Sequence, residues 1–492
     1  MLNCNDIHTT ITSYWATVKK YCASCKKIYF RRLAAVFSIP MPILPIDSGR
    51  YGSKEMRDIF ADERRLQYQL NFEATVARAQ AELGMIPEAA ALEITEGSLP
   101  GRVTTARVSE LESVSEHDTA AMVEALSEQV SATSKLWIHY GLTSNDVIDT
   151  STCMQMREAF SIIQSKLSIL AQLLVYRACE FRNVPAVGRT HGQHASIISF
   201  GLKFAVWAAE MARHIERLKE GEKRFLVCKT LGVVGTGSLM GDKALDVQKI
   251  VAHNLSLYSV DAATQIVPRE RFAEMQFYIA LIGSTLEKMA IEIRNLQRTE
   301  IGEVAEPFRK GQMGSSAVPI KRNPIKSERV SSLARMLRSF VGVSMENIAS
   351  WHERDLSNSA NERFIVPMAS ILLDEMLNAM TVVIRELKVN KERITHNIEM
   401  TKGQIYAEFI LDALIKKGVA RFEAYRDIQR VAFLALESGE LFFDAVSNDR
   451  SISSKLSKQE LATIFDAKNH LAASERIIEN TSTMVSNVTK KM

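Results

Sequence analysis

From Gly311 to Val330 the chain reads GQMGSSAVPIKRNPIKSERV. Glycines at 311 and 314 and prolines at 319 and 324 exclude regular helix there. A loop of this length in a compact chain is usually functional or disordered. Its groups suit a carboxylate: the hydroxyls of Ser315 and Ser316, Lys321, Asn323 and the backbone N–H groups between them. A mobile surface loop with incidental serines would have the same composition. A second segment, GRTHGQHA at 188–195, carries His191 and His194 three residues apart. They could ligate a metal, but no carboxylate pattern such as HExxH accompanies them. They could be structural, or one could be an acid or base, since imidazole titrates near pH ~6.5. GVVGTGS at 232–238 is glycine-rich but lacks the strand, helix and downstream acid of a dinucleotide site. Arg50, Arg269, Arg354 and Arg363 are of the type that grips phosphate or carboxylate with two parallel bonds. Any one of them alone reads as a solvated surface charge.

Most of the chain that must position these groups reads as long amphipathic helices. Ile282, Leu286, Met289, Ile293 and Leu296 follow the four-three step of a bundle seam. Leu372, Met376, Met380, Val383 and Leu387 repeat it, as do Val330, Leu333, Leu337, Phe340 and Val341. Alternating strand-like runs are scarce. The pattern predicts an all-α chain of three helical domains: 49–157, a central long-helix bundle over 158–390 carrying the loop, and 391–492. Polar islands interrupt the helices: RYGS at 50–53, SEHDTA at 115–120, HYGLTSNDVIDTS at 139–151, GRTHGQHA, PRERFAE at 268–274, the Gly311–Val330 stretch, and WHERDLSNSANER at 351–363. Each alone reads as caps and turns at helix ends. Together they predict a site for a multiply anionic small molecule, assembled from distant segments.

Composition bounds the possibilities. Hydrophobic residues are 46% and charged residues 24% of 492, a globular balance. A formal charge of +4 gives no argument for nucleic acid or an acidic membrane. No run approaches the roughly 18 apolar residues of a spanning helix. Six scattered cysteines make no disulfide framework and favour a reducing compartment. The first 48 residues differ: six Lys or Arg lie between 19 and 32, and a proline-broken apolar run follows. They read as an N-terminal extension or an upstream start, with Met41 the natural beginning; a targeting segment fits only loosely. Cys22-Ala-Ser-Cys25 has no partner pair for a metal or redox role.

GSSAVPIKRNP closely resembles the signature loop of the fumarase/aspartase superfamily, all-helical lyases that release fumarate. With RYGS, HYGLTSNDVIDT, GRTHGQHA, IEIRNLQRTEIGEVAEPF and WHERDLSNSANER, the chain is similar, from about residue 48 onward, to the adenylosuccinate lyase branch. The resemblance implies β-elimination without a cofactor, of adenylosuccinate and of the succinyl-carboxamide SAICAR. It implies Ser315 as the base, with Lys321 and loop N–H groups stabilising its alkoxide, and His191 as the acid. Ser316, Lys321 and Asn323 would hold the succinyl carboxylates, with Thr143 and Ser144 a further carboxylate-binding pair. His117, beside Asp118, and Gln265 would contact substrate; Arg50 and Tyr51 would meet its phosphate end; Arg354, Ser359 and Arg363 would contact the nucleotide. It further implies a homotetramer whose sites each draw on three subunits; the cysteine usage points to the cytoplasm, with organelle targeting by residues 1–48 left open. The chain departs from the branch at Val318, where Met is usual, at Ile197 and Ile198, which remove a proline and a polar group, and at Glu116, where a basic residue is frequent. The alternatives are another superfamily lyase, such as argininosuccinate lyase, and a non-catalytic structural protein on the same scaffold.

Overall fold

A computed structural model describes residues 43–490. The Cys22–Cys25 pair and the basic segment lie outside the described residues. Residues 43–51 form a short unit of turns, in which the Arg50 N–H donates to the Pro45 carbonyl. Residues 52–490 form the second unit.

That unit is all-α apart from three two-stranded ladders. Its core is a bundle of five long helices: α1 (Ser144–Glu180), α2 (Phe200–Phe225), α3 (Glu270–Leu296), α4 (Ile325–Glu346) and α5 (Ser359–Glu386). The seams are those legible in the sequence. Ile282, Leu286, Met289, Ile293 and Leu296 of α3 are all at most 3% exposed. Leu372, Met376, Met380 and Val383 of α5 are equally buried, whereas Phe340 and Val341 near the end of α4 are only half-covered. The final helix, α6 (Ala472–Thr489), returns to pack on α1 and α2.

Two of these helices are more apolar than the sequence reading allowed. Windows of 18 residues in α1 and α5 reach a mean hydropathy of 1.4, enough by length and composition to cross a membrane. Lys166 and Arg177 in α1, and Asp374 and Glu375 in α5, interrupt the apolar runs without lowering the mean below that value. The α5 window packs inside the bundle, 67% buried, whereas only 39% of the α1 window is buried.

The polar islands fall largely where helix ends require them. Ser53, His117 and Thr143 are N-caps; the Thr143 hydroxyl and the Asp146 carboxylate form a capping box that starts α1. The exception is GRTHGQHA. It is not a helix end but a hairpin, β1 (Pro185–Thr190) against β2 (Gln193–Ser199), in antiparallel register. His191 and Gly192 form its two-residue turn with φ of 53° and 75°, the positive values such a turn demands. Ile197 answers the departure seen in the sequence. With Val187 it is buried against Ile398, Ile405, Tyr406 and Leu471, so an apolar residue there seats the hairpin on the C-terminal segment.

Candidate active site

The Ser315 loop occupies the irregular stretch between the short strand Val304–Ala305 and the start of α4 at Ile325. Glu306 fixes its exit: the buried carboxylate accepts the N–H groups of Lys326 (3.2 Å) and Ser327 (2.7 Å) and the Ser327 hydroxyl (2.5 Å). A negative charge at a helix N-terminus is favourable, so this capping also orients α4. Gln297 ties both ends together, accepting from the Glu306 N–H (2.8 Å) and donating to the Arg322 carbonyl (2.9 Å). Gly314 makes the neck of the loop. A Cβ there would stand 2.0 Å from the Lys321 carbonyl oxygen, so only glycine lets the two strands of the loop pinch together.

Within that pinch, the Ser315 Oγ accepts the N–H groups of Ala317 (3.3 Å) and Val318 (3.2 Å). Two backbone donors on one hydroxyl oxygen favour negative charge on it. Val318 takes part through its backbone, so the change of side chain from Met leaves this contact intact. Ser315 and Asn323 are half-buried, while Ser316 and Lys321 are exposed.

A cavity of about 180 Å3 forms separately, where the starts of α1, α3 and α5 converge on the helix Asp62–Glu82. Asp118, Arg354, Ser359 and Arg363 line it. Arg363 donates to Asp118 at 2.8 Å, and Arg354 donates to the Gln265 side-chain oxygen at 2.9 Å. These five expected residues are thus brought together. Asn145, Asp149, Arg269 and Glu362 also line the cavity. Arg269 grips both oxygens of Asp149 at 2.8 and 2.9 Å and lies 3.0 Å from Glu362. Burial works against the Arg269 charge, but Asp149 and Glu362 outweigh it and hold its pKa above the ordinary arginine value. Burial pushes Glu362 upward despite Arg269. Burial also lowers Arg354, whose Nε is buried without a partner. A guanidinium with an unpartnered buried Nε, so placed, is arranged to receive an anion.

Residue type alone singles out Arg269 in the sequence but not Asp149, Glu362 or Asn145. The signal was present as Asn145 and Asp149 four apart on one helix face, and as Glu362 beside Arg363.

The other expected residues do not line the cavity. None of the residues lining the cavity comes from the hairpin turn or from the Ser315 loop. His191 is exposed at the hairpin turn. His117 is half exposed, and its Nδ1 accepts the Ala120 N–H at 3.2 Å as a helix cap. Glu116 before it is left-handed, with φ of 51°, and ends the preceding helix Thr105–Ser115. Thr143 and Ser144 begin α1, one residue before the cavity-lining Asn145. The Thr143 N–H donates to Asp146, whose buried carboxylate also takes Lys229 (2.5 Å) and the N–H groups of Leu231 (3.1 Å) and Gly232 (3.0 Å). The glycine-rich GVVGTGS segment therefore has a structural use: its start braces the Thr143–Ser144 turn. Arg50 and Tyr51 end the short N-terminal unit.

A helical bundle with a serine-bearing glycine-proline loop and an arginine-lined cavity defines a class, and the comparisons agree on it. A family model described as Lyase matches residues 49–338. The fold is similar to the 3-carboxy-cis,cis-muconate lactonizing enzyme from Pseudomonas putida: TM-score 0.81, 26% identity, covering 91% of this chain and 100% of that one. It is similar also to a fumarate lyase from Mesorhizobium sp. BNC1, with a TM-score of 0.81, 28% identity and coverage of 88% and 98%. The chain is a lyase of the fumarase/aspartase superfamily. Within that class, a model described as Adenylosuccinate lyase C-terminus matches residues 403–481. Adenylosuccinate lyases of Methanocaldococcus jannaschii and Pyrococcus abyssi are 41% and 42% identical over 440 residues, covering 89% of this chain and 95% and 97% of theirs. The chain belongs to the adenylosuccinate lyase family.

Proposed function

We propose that the protein cleaves adenylosuccinate to AMP and fumarate, and SAICAR to AICAR and fumarate, in purine biosynthesis. The observation that carries this reading is the similarity to adenylosuccinate lyases across 89% of the chain. The reaction is redox-neutral and needs no electron carrier. A base takes the proton from the carbon beside a carboxylate, and the electron pair first resides on an aci-carboxylate dianion. The C–N bond then breaks, its pair goes to the nitrogen, and an acid protonates that nitrogen.

The role of base falls to Ser315. Serine is a poor base in water, and the two N–H groups on its Oγ support an alkoxide only once the site is closed and dry. His191 is the acid. Ser316, Lys321, Asn323, Thr143 and Ser144 hold the succinyl carboxylates, and the dianion is the species whose stabilisation governs the rate. Asp118, Gln265, Arg354, Ser359 and Arg363 receive the nucleotide, with His117 beside it and Arg50 and Tyr51 at the phosphate.

Neither the Ser315 loop nor the His191 turn lines the cavity of its own chain, which supports a homotetramer with sites completed between chains. The α1 window that is only 39% buried, and the exposed Ile169 and Tyr176 on α1, support the same reading: an apolar face its own chain leaves uncovered. The scattered cysteines support a cytoplasmic setting. The test is ultraviolet observation of purified protein fed adenylosuccinate, SAICAR and argininosuccinate in turn. Fumarate from the first two only is the expected result; fumarate from argininosuccinate alone, or from none, defeats the proposal.

A further inference from the structure

We propose that Glu303 is a positioning residue for His191, acting through Arg189. The inference rests on the reading above, in which His191 is the acid. His191 sits at the turn of a hairpin whose register pairs Arg189 with His194 and Thr190 with Gln193, and a bulge falls between Gly188 and Arg189. Bulges bend a strand and re-aim the side chains beyond them. The strand segment entering the turn is therefore set at Arg189, two residues before His191. Arg189 reaches out of the hairpin and donates from one guanidinium nitrogen to Glu303 Oε1 at 2.5 Å.

Glu303 is an unusually fixed point. Its carboxylate is fully buried, and Oε1 also accepts from the Asn397 side chain at 2.8 Å. Its backbone N–H donates to the Leu296 carbonyl and its carbonyl accepts from the Asn390 N–H, both at 2.9 Å. The residues before it are clamped as well. The Ile301 carbonyl accepts from Asn397 (2.9 Å) and Arg393 (3.0 Å), and the Glu300 carbonyl from Arg393 (2.7 Å). Bundle and C-terminal segment thus meet at Glu303. The hairpin has apolar seating at Val187 and Ile197, but apolar contact alone permits sliding, whereas a charge pair fixes a direction.

The network is not built for stability. Arg189 Nη1, Glu303 Oε2, Asn397 Oδ1 and His194 Nδ1 are all buried without a hydrogen-bond partner. A half-satisfied buried ionic cluster is generally no more stable than well-packed apolar residues would be. Its presence beside the turn that carries His191 is accounted for by placement. Burial and the neighbouring Arg189 also lower the pKa of His194, against the pull of Glu303.

The experiment compares Glu303→Gln, Glu303→Asp and His191→Gln with wild type, by steady-state kinetics on adenylosuccinate, circular dichroism and native assembly state. A displaced acid costs turnover more than binding, so Glu303→Gln is expected to lower kcat about tenfold to a hundredfold, with KM changed less than about threefold and assembly intact. Glu303→Asp keeps the charge and is expected to recover part of the loss. The inference is overturned if Glu303→Gln keeps the wild-type kcat, if activity falls only in proportion to folded protein, or if Glu303→Asp is no better than Glu303→Gln. Should Glu303→Gln not assemble, Arg189→Lys decides. It keeps the cation but loses the planar fork, so a lowered kcat at unchanged KM sustains the inference and an unchanged kcat overturns it. A wild type inert toward adenylosuccinate defeats the proposed function instead. An active His191→Gln removes the acid assignment and this inference with it.

Discussion

At the scale of single residues, Ser315 and His191 carry the sharpest expectations. Ser315→Ala removes the proposed base and leaves the loop's anchors, Glu306 and Gln297, untouched. Turnover is expected to vanish while substrate still binds, measured by single-turnover fumarate release alongside equilibrium binding. A kcat lowered by less than about tenfold, or about 1.4 kcal/mol, would reassign the base. His191→Gln should lower kcat by roughly 10²–10⁴-fold, the usual contribution of general acid catalysis, and flatten the limb of the pH–rate profile that the acid controls. An unchanged profile would move the role to His117, which sits free enough at its helix cap to donate from the other ring nitrogen.

At the scale of elements, the loop neck and the α2–α3 joint each allow a test. Gly314→Ala forces a Cβ into the Lys321 carbonyl, so the neck must open. We expect a large fall in kcat with little change in thermal midpoint, since no core contact is lost; wild-type activity would mean that the pinched geometry is dispensable. At the joint, Arg217 can only donate, so His214 Nδ1 accepts from it at 3.3 Å and Nε2–H donates to the Thr285 hydroxyl at 2.8 Å. Burial, with Arg217 and Arg213 nearby, lowers the His214 pKa to about 4. The folded state therefore binds this proton less readily than the unfolded chain. The contribution to stability is complete above the unfolded value of ~6.5 and is lost as pH falls from there toward 4. Between pH ~6.5 and ~5 the loss is on the order of 2 kcal/mol. Denaturant midpoints across that range should fall for wild type and fall less for His214→Leu; equal slopes would place the titrating group elsewhere.

At the scale of the whole molecule, the expectation concerns assembly. If His191 and Ser315 of one site come from different chains, inactive Ser315→Ala and His191→Gln subunits unfolded and refolded together should regain activity, because some sites then draw both intact residues. Closed symmetry places copies of one segment beside different segments of a neighbour, which is why mixing can work at all. Differently tagged subunits that co-purify yet remain inactive would show that both residues act from one chain.

The sequence by itself determined the helices and the loop. The four-three spacing of Ile282 to Leu296 and of Leu372 to Val383 corresponds to fully buried seams because period and burial are the same physical fact on a helix. Glycine and proline placed the irregular loop, and the cap residues Ser53, His117 and Thr143 stood where orphan N–H groups need them. Tertiary structure decided the rest. That GRTHGQHA is a hairpin follows from two adjacent positive φ values and from Ile197 finding a distant apolar seat, neither of which local spacing encodes. That Asp149 and Glu362 would share Arg269, that Glu303 would meet Arg189 across 114 residues, and that Asp146 would brace the glycine-rich segment are pairings of buried charge. Such charges are held only where a specific partner arrives from far along the chain. A lone Asp or Glu in the sequence looks the same whether it is solvated or buried, and only the fold supplies the partner that tells them apart.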